Sequence, residues 1–409
     1  MGGPDAAERR ARMVLSSVVE PGDADACRVI REHSASGLLA RLRSRASTAG
    51  SAAGLSRSSS SSSKVATWVQ RAAAADDDAV IRAAAAASAR YVCPGDDEWE
   101  PALDDLAMLE DEPGDRRAGA PFGLWLRGGG SLPALTRRCV AIVGARRSTP
   151  YGEHVASGLA FDAASRGFAV VSGGAYGIDA AAHRAVLSCG APTLAVLAGG
   201  VDNLYPTGNS TLLGEVAVRG LLVSEAPPGC VPSRSRFLVR NRLIAALSQG
   251  TVVVEAALRS GALNTARWAL DLGRGVMGVP GPVTSRTSAG VHELLRQPGT
   301  LLVTDALEMI EHVSPAGVGL APRKSGRLRP VDSLEGASRR VLDAVPKQLG
   351  APAEAIALDA GVRPGDVRPH LARLRDAGLV TERADGWALA APRSDAGPRP
   401  CLGREPGEG

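Results

Sequence analysis

The stretch CVAIVGARRSTPYGEHVASGLAFDAASRGFAVVSGG, residues 139–174, decides the fold of this chain. It opens on the apolar run VAIVG (140–144), continues through a segment with helical character from Gly152 to Arg166, and closes on a second run, FAVVSGG (168–174). Short apolar runs that end in Gly or Ser are typical of strands buried on both faces of a parallel sheet. The stretch therefore predicts a strand, a helix and another strand in succession.

The same alternation continues to about Val313. Five further apolar runs follow, which are PTLAVLAGG (192–200), GLLVSEAP (220–227), GTVVVEA (250–256), GVMGVPG (275–281) and TLLVTD (300–305). Further helices are predicted between them, over Asp179–Cys189, Arg240–Ser248 and Asn264–Leu272. Repeated alternation of this kind indicates an α/β fold with a doubly wound, mostly parallel sheet that is covered on both sides.

Composition divides the remainder of the chain. Helical spacing broken at Pro21-Gly22 predicts short packed helices near the N-terminus, and a Ser- and Ala-rich insert is followed by an alanine-rich helix over Trp68–Arg90. Three helices, Leu334–Val345, Pro352–Ala360 and Asp366–Ala377, precede a hairpin in LVTERADGWALA, a pattern that favours a winged helix. The predicted divisions are a helical domain (1–45), the insert and helix (46–90), the sheet domain (91–313), a basic linker (314–333), the winged helix (334–392) and a disordered tail (393–409).

Composition also excludes several classes of protein. The 409 residues carry 47 Lys and Arg against 43 Asp and Glu, and a net charge of +4 is too weak to indicate nucleic acid by itself. Aromatic residues make up 3% of the chain, which disfavours a surface paved with stacking rings. The six cysteines form no CxxC pair and no cluster with His, so we expect reduced thiols, a cytoplasmic location and no metal. No run of eighteen apolar residues is present, and we expect no membrane segment.

The residues that follow the strands are candidates for a binding site, because ligands of doubly wound sheets bind beyond the carboxyl ends of the strands. The first turn places Gly144 before Arg146 and Ser148 at the start of a helix, where amides and a guanidinium would hold a phosphate. A solvated arginine pair explains the same residues equally well. The turn is not GxGxxG and the second strand ends without an acidic residue, so NAD and FAD are disfavoured and no cofactor is predicted.

A second candidate is the run SGGAYGIDAAAH (172–183), in which Asp179 and His183 lie four residues apart on one helix face. We favour a structural role for this pair, because Asp near a helix N-terminus interacts favourably with the helix dipole and no nucleophile accompanies it.

A third candidate is SRSRFLVRNRLIAALS (233–248), which places four arginines around Phe237. Such a segment suits a polyanion, and the ring offers a face to a base. The same arginines could instead pair with Glu225 or Glu255 at the strand ends, and both interpretations can hold together. Glu225 and Glu255 are therefore predicted to orient other side chains.

The order and spacing of seven motifs identify a family. GARRSTPYG, SGGAYGIDAAAH, GGVDNLYPTGN, SEAPPG, FLVRNRLIAALS, VVEAALRSGALNTA and VPGPVTS together resemble the DNA-processing protein A (DprA/Smf) family over about residues 90 to 313. The resemblance implies an extended Rossmann-type domain that binds single-stranded DNA without sequence preference and forms a homodimer. It also implies a role in loading RecA recombinase, as in natural transformation of competent bacteria, and no catalytic turnover.

The resemblance carries over to particular residues. Arg146 matches the arginine of the first-turn GxR, and Arg240, Asn241 and Arg242 match the RNR of the basic segment. The family often has Leu-Ala-Arg-Gly where this chain reads Gly174-Ala175-Tyr176-Gly177. Loss of this arginine is expected either to weaken or reshape the pocket, or to be compensated by stacking of Tyr176. The predicted DNA contacts are Gly144, Arg146, Ser148, Gly173, Gly174, Tyr176, Gly177, Arg234, Arg236, Phe237, Arg240, Asn241, Arg242, Ser260 and Gly261.

Two other functions remain as alternatives. A Rossmann-type hydrolase of nucleoside monophosphates would use Glu255 as acid or base, but the PGGxGT that sugar-phosphate hydrolases of this sheet type carry is missing. A transcriptional regulator would act through the winged helix, whose predicted recognition helix carries Arg368, Arg373 and Arg375 among acidic neighbours.

Overall fold

The computed structural model describes residues 3–49, 60–109, 119–322, 324, 330–334 and 336–391. The chain forms two compact units, Met1–Pro322 and Arg323–Gly409. Most of the predicted Ser-rich insert, part of the basic linker and the predicted tail lie outside the described residues.

The described residues of the N-terminal part of the first unit form five helices. They are α1 (Ala6–Val18), α2 (Ala24–His33), α3 (Ala35–Ala49), α4 (Ser60–Ala74) and α5 (Asp77–Ala86). Buried side chains such as Leu15, Ile30 and Trp68 pack between them, as the helical spacing predicted. The single helix predicted over Trp68–Arg90 is wrong, because Asp76 caps a new helix by accepting hydrogen bonds from the amides of Asp78 and Ala79.

The rest of the first unit is built on one large sheet. Its described strands are β1 (Arg90–Val92), β2 (Leu124–Arg127), β3 (Cys139–Val143), β4 (Ala169–Ser172), β5 (Thr193–Val196), β6 (Leu221–Ser224), β7 (Gly250–Val253), β8 (Gly275–Gly278) and β9 (Thr300–Leu302). Their order is β1-β2-β6-β5-β4-β3-β7-β8-β9, parallel from β6 to β9 and antiparallel at β1 and β2. All seven apolar runs are strands, so the predicted mostly parallel, Rossmann-like sheet is confirmed.

Helices cover both faces of this sheet. They are α6 (Leu132–Thr136), α7 (Pro150–Ser165), α8 (Ile178–Ser188), α9 (Ser210–Arg219), α10 (Arg234–Ala246), α11 (Gly261–Asp271), α12 (Ala289–Leu295) and α13 (Ala306–Val313). Alternate residues of β3 point to opposite faces, so Ala141 joins the core under α10 and α11 whereas Ile142 joins the core under α7 and α8. Burial on both faces explains why these strands are continuously apolar.

Two expectations about this sheet are corrected. Leu301 and Leu302 of β9 are about half exposed rather than buried on both faces, because β9 pairs only with β8 at the edge. Helix α10 begins at Arg234 and not at Arg240, because the Ser233 side chain accepts a hydrogen bond from the Arg236 amide and caps the helix earlier.

The described residues of the second unit form three helices and a hairpin. They are α14 (Gly336–Ala344), α15 (Ala353–Asp359), α16 (Pro364–Asp376), β10 (Val380–Arg383) and β11 (Gly386–Leu389). Ile356, Leu371 and Val380 belong to one buried cluster that these elements share. The predicted elements are therefore present, and their assignment as a winged helix stays a prediction.

Candidate nucleic-acid interface

A groove opens where the order of the parallel strands reverses. From β3 the chain proceeds through β4, β5 and β6 to one side, whereas β7 pairs with the other side of β3 and is followed by β8 and β9. The connections leaving β3 and β7 diverge at this point, which is where open α/β sheets bind ligands. The groove has a volume of about 1080 Å³ and is lined by parts of 143–147, 232–244 and 257–267, together with Ala175, Asp179, Tyr205 and Thr287.

The lining is strongly cationic. Five of its arginines are solvent exposed, namely Arg146, Arg147, Arg234, Arg259 and Arg267. Asp179 is the one carboxylate among the described lining residues. Across the described part of the chain, none of these five guanidinium groups forms an ion pair with a carboxylate. The groove thus presents a cluster of arginine forks to solvent, and forks of this kind suit phosphate.

Phe237 lies in the middle of this cluster. The Arg146 guanidinium lies 4.7 Å from the centroid of its ring, and the Tyr205 ring lies 5.7 Å away at an interplanar angle of 50°. This cation–π contact holds Arg146 at the rim of the groove. The ring predicted to offer a face to a base is therefore partly covered by Arg146.

Arg240 lines the groove but is buried, with 6% of its surface exposed. Its Nη1 donates to the Gly173 carbonyl at 2.8 Å and to the Val196 carbonyl. Burial lowers the pKa of Arg240 to about 10, with a smaller contribution in the same direction from the Arg146 charge and an opposing one from Asp179. Through Nη1, Arg240 braces the ends of β4 and β5, and its predicted contact with DNA stays a prediction.

Two other predicted arginines point away from the groove. Arg242 is fully buried and forms an ion pair with Glu225 at 2.8 Å. Arg236 forms an ion pair with Glu20 at 3.0 Å. With 3.6 residues per turn, Arg234 and Phe237 share one face of α10, whereas positions 236 and 242 lie on other faces. Arg236 and Arg242 are therefore not groove residues, and the alternative that an arginine pairs with Glu225 is confirmed.

Glu255 follows β7 and is 2% exposed. Its carboxylate accepts hydrogen bonds from the Thr149 amide at 2.9 Å, the Thr149 hydroxyl at 2.6 Å and the Thr287 hydroxyl at 3.0 Å. The expectation of an arginine partner for Glu255 is wrong, since these donors are uncharged. Glu255 fixes the loop from β3 to α7, which carries Arg146.

Asp179 and His183 do not pair. The Asp179 carboxylate accepts from the amides of Gly173 at 3.1 Å and Ala175 at 3.4 Å, and burial raises its pKa. His183 Nδ1 is hydrogen-bonded to the Thr193 hydroxyl at 2.8 Å, and burial lowers the pKa of His183 to about 4. The expected contact along the helix is absent because the loop after β4 folds back onto Asp179.

The loop after β4 is tightly built. A Cβ atom on Gly173 would lie 2.3 Å from Arg240 Nη1, and Gly177 has φ of +75° with the Ala145 carbonyl in the place of a side chain. Tyr176 is exposed and accepts a hydrogen bond from the Gly208 amide at 3.2 Å. Of the predicted contacts, Ser148, Gly173, Gly174, Tyr176 and Gly177 are not among the groove-lining residues.

The start of α11 forms the opposite wall. Asn241 Nδ2 donates to the Gly261 carbonyl at 3.1 Å and to Asn264 Oδ1 at 3.2 Å. Ser260 caps α11 by accepting from the Ala262 amide at 3.2 Å. The predicted residues Gly144, Arg146, Arg234, Phe237, Arg240, Asn241, Ser260 and Gly261 all line the groove.

Sequence reasoning considered Arg147 only as part of an arginine pair, without predicting it as a contact, and it missed Arg259, Arg267 and Asn264. The last three lie in VVEAALRSGALNTARW, the segment that follows β7. Their position just beyond the carboxyl end of a strand could have indicated that they belong to the site. They were overlooked because they are spread over nine residues and do not form a visible cluster.

In the described part of the chain, no helix is long and apolar enough to cross a bilayer. The same residues contain no group of three His, Cys, Asp or Glu side chains that could hold a metal ion.

Comparisons with known proteins converge on one family. The sequence model described as DNA recombination-mediator protein A matches residues 90–314. A putative DNA processing protein DprA from Mycobacterium tuberculosis is 48% identical over 73% of this chain and 77% of that protein. Protein Smf from Escherichia coli is 42% identical over 45% of this chain and 49% of that protein. The X-ray structure of DNA processing protein A from Streptococcus pneumoniae matches with a TM-score of 0.58 and 27% identity, covering 76% of this chain and 98% of that one.

Proposed function

We propose, for a chain that belongs to the DNA recombination-mediator protein A (DprA/Smf) family, that the groove between β3 and β7 binds single-stranded DNA without sequence preference. The observation that carries this proposal is the set of exposed arginines around the groove, for which the described residues supply no carboxylate partner. Exposed arginines at the point where the strand order of a sheet reverses form a suitable site for a polyanion. Relatives in the family are named as DNA processing proteins, which makes DNA the polyanion that we propose.

The apolar side chains of the same groove favour a single strand over a duplex. Leu238 is 49% exposed, Leu258 is 62% exposed and Tyr205 is 45% exposed, and all three line the groove beside the arginines. A duplex keeps the faces of its bases stacked inside, whereas a single strand offers them to apolar and aromatic side chains. Arginine contacts to phosphate carry no sequence information, and contacts of bases with these few side chains do not distinguish one base from another. We therefore expect little dependence of affinity on base identity.

The test is a salt titration of binding to a single strand and to a duplex of the same sequence. The single strand is expected to bind more tightly, with a log–log salt slope of about −0.7 for each neutralised phosphate. Arg259→Ala should weaken binding and flatten the slope by one contact. Arg184→Ala is the matched control, because Arg184 is exposed on α8, does not line the groove and carries the same charge. Equal binding of duplex and single strand, or equal effects of the two variants, would exclude this groove as the site.

The proposal includes the wider activity that family membership implies. In it, the protein works as a homodimer in the cytoplasm, hands single strands to RecA recombinase, and does not turn over substrate. The placement of Glu255 supports the absence of acid–base chemistry, because both of its oxygens already accept hydrogen bonds within the protein. Stimulation of RecA filament assembly on strands coated with single-strand binding protein is the assay for the second step, and its failure would leave DNA binding as the whole function.

A further inference from the structure

The turn between α1 and α2 is anchored on the helix that carries part of the groove. Glu20 accepts hydrogen bonds from Arg236 Nε at 3.0 Å and from Arg236 Nη2 at 3.2 Å. It also accepts from Arg71 Nη1 of α4 at 3.0 Å. The contacts with Arg236 and Arg71 outweigh the opposing effect of burial and lower the pKa of Glu20, so its carboxylate stays ionised.

A second contact from the same turn reaches the strand next to this helix. The Gly22 amide donates to Glu225 Oε1 at 3.1 Å, and Glu225 follows β6 directly. Arg242 Nη2 of α10 donates to the same oxygen at 2.9 Å. The turn at 20–22 therefore binds α10 twice, directly through Arg236 and indirectly through Glu225 and Arg242.

The two faces of α10 contact different parts of the protein. Arg236 and Arg242 contact the turn and the end of β6, whereas Arg234 and Phe237 line the groove. Because a helix is a rigid cylinder over one or two turns, the angle at which the first face is held sets the direction of the second. Arg236 Nη1 also donates to the Val231 carbonyl at 2.9 Å, which ties in the segment leading into the helix.

We propose that Glu20 is a positioning residue for nucleic-acid binding, which holds the first turns of α10 through Arg236 so that Arg234 and Phe237 face the groove. This inference rests on the proposed function. It assigns to the N-terminal helices a part in the DNA site that they do not themselves line.

The experiment compares Glu20→Gln with Asp25→Asn. Both variants remove one negative charge, but Asp25 pairs with Lys64 and Arg28 inside the N-terminal helices and does not contact α10. Glu20→Gln is expected to weaken binding of oligo-dT by about three- to fivefold, the effect of a partly buried ion pair, while Asp25→Asn stays within about twofold of the wild type. Glu20→Asp, which keeps the charge, is expected to fall between Glu20→Gln and the wild type.

A readout without DNA separates this inference from the proposed function. Arg236 Nη1 contacts the Cys230 sulfur at 2.7 Å, and its charge favours the reactive thiolate. Release of Arg236 should therefore change the rate of Cys230 alkylation, followed by peptide mass mapping, in Glu20→Gln and not in Asp25→Asn. Unchanged or tighter DNA binding by folded Glu20→Gln would overturn the inference, because Glu20 would then merely screen Arg236. If the wild type itself binds no single strand, the proposed function fails. Unchanged rates of Cys230 alkylation and of hydrogen exchange in α10 of Glu20→Gln would overturn the positioning role as well.

Discussion

At the scale of single residues, the arginines of the basic segment have distinct roles that their spacing alone does not reveal. Arg234 is exposed in the groove, Arg236 is paired with Glu20, Arg240 braces two carbonyl groups and Arg242 is buried against Glu225. The sequence predicted a cation cluster at the correct edge of the sheet. It could not assign the individual arginines, because each role depends on a partner from a distant segment such as Glu20 or Gly173.

Arg146 is expected to contribute a phosphate contact. Arg146→Ala should weaken binding to poly-dT and to mixed sequences alike and flatten the salt slope by about 0.7. Arg146→Lys should recover part of the affinity, since lysine restores the charge but not the planar fork that stacks on Phe237. Fluorescence anisotropy over a range of salt concentrations measures both.

Arg240→Met provides the contrast for that measurement. Losing the guanidinium leaves the carbonyls of Gly173 and Val196 without this donor, which should cost about 1 to 3 kcal/mol in the free energy of unfolding. Its salt slope should match that of the wild type. A slope flattened as in Arg146→Ala would show instead that Arg240 reaches phosphate.

His183 should make stability depend on pH. Its pKa is lowered from 6.5 to about 4 in the native protein, so between these values the unfolded chain binds a proton at this position that the native chain does not. The free energy of unfolding should therefore fall as pH decreases, by about 1.5 kcal/mol from this group between pH 6.5 and 5. Urea titrations of wild type and His183→Gln test this, and the variant should lose less stability over the same range. Parallel curves would contradict the assignment.

At the scale of elements, the parallel strands were predictable, whereas strand β1 and the first turns of α10 were not. Strands buried on both faces are continuous apolar runs, so all seven were found from the sequence. The start of α10 was missed because its first turn is Arg- and Ser-rich and has no apolar periodicity. Strand β1 was missed because its three residues follow an alanine-rich helix without a turn signal.

Glu255 should matter for the loop between β3 and α7 and not for chemistry. Glu255→Gln replaces one acceptor oxygen by an amide that faces donors from Thr149 or Thr287, and we expect the free energy of unfolding to fall by about 1 to 3 kcal/mol. Hydrogen exchange in the first turn of α7 should become faster. Release of a base from nucleoside monophosphates by the wild type, abolished in this variant, would instead establish the hydrolase alternative.

At the scale of the whole molecule, the boundary between the two units lies later than the start of the predicted linker. After α13 ends at Val313, the Ala321 amide still donates to the Glu311 carboxylate at 3.0 Å. The chain therefore remains attached to the first unit up to Pro322. In the second unit, Arg368 and Arg375 of α16 pair with Glu354 and Asp376, which gives little support to a regulator that reads duplex DNA through this helix.

Residues 1–322 alone should fold cooperatively and keep most of the affinity for single strands, because the described groove lies entirely within them. Thermal unfolding and anisotropy of the truncated protein check this. Retained folding with lost binding would move the DNA site to the C-terminal unit or to the basic segment before it.

The position of the groove segments in the sequence also determines when the groove can form during synthesis and folding. Two of its lining segments follow β3 and β7, and the hydrogen bond that joins these two connections, from Thr149 to Glu255, spans 106 residues of sequence. Closing so long a loop carries an entropic cost that must be met before the contact forms, so pairing of β3 with β7 belongs to the slow, high-contact-order part of folding. During synthesis, a nascent chain that has not yet produced β7 has the turn after β3 and the groove residues of α10, but it lacks the segment at the start of α11. The protein thus becomes competent to capture nucleic acid late, after most of its sheet domain has left the ribosome.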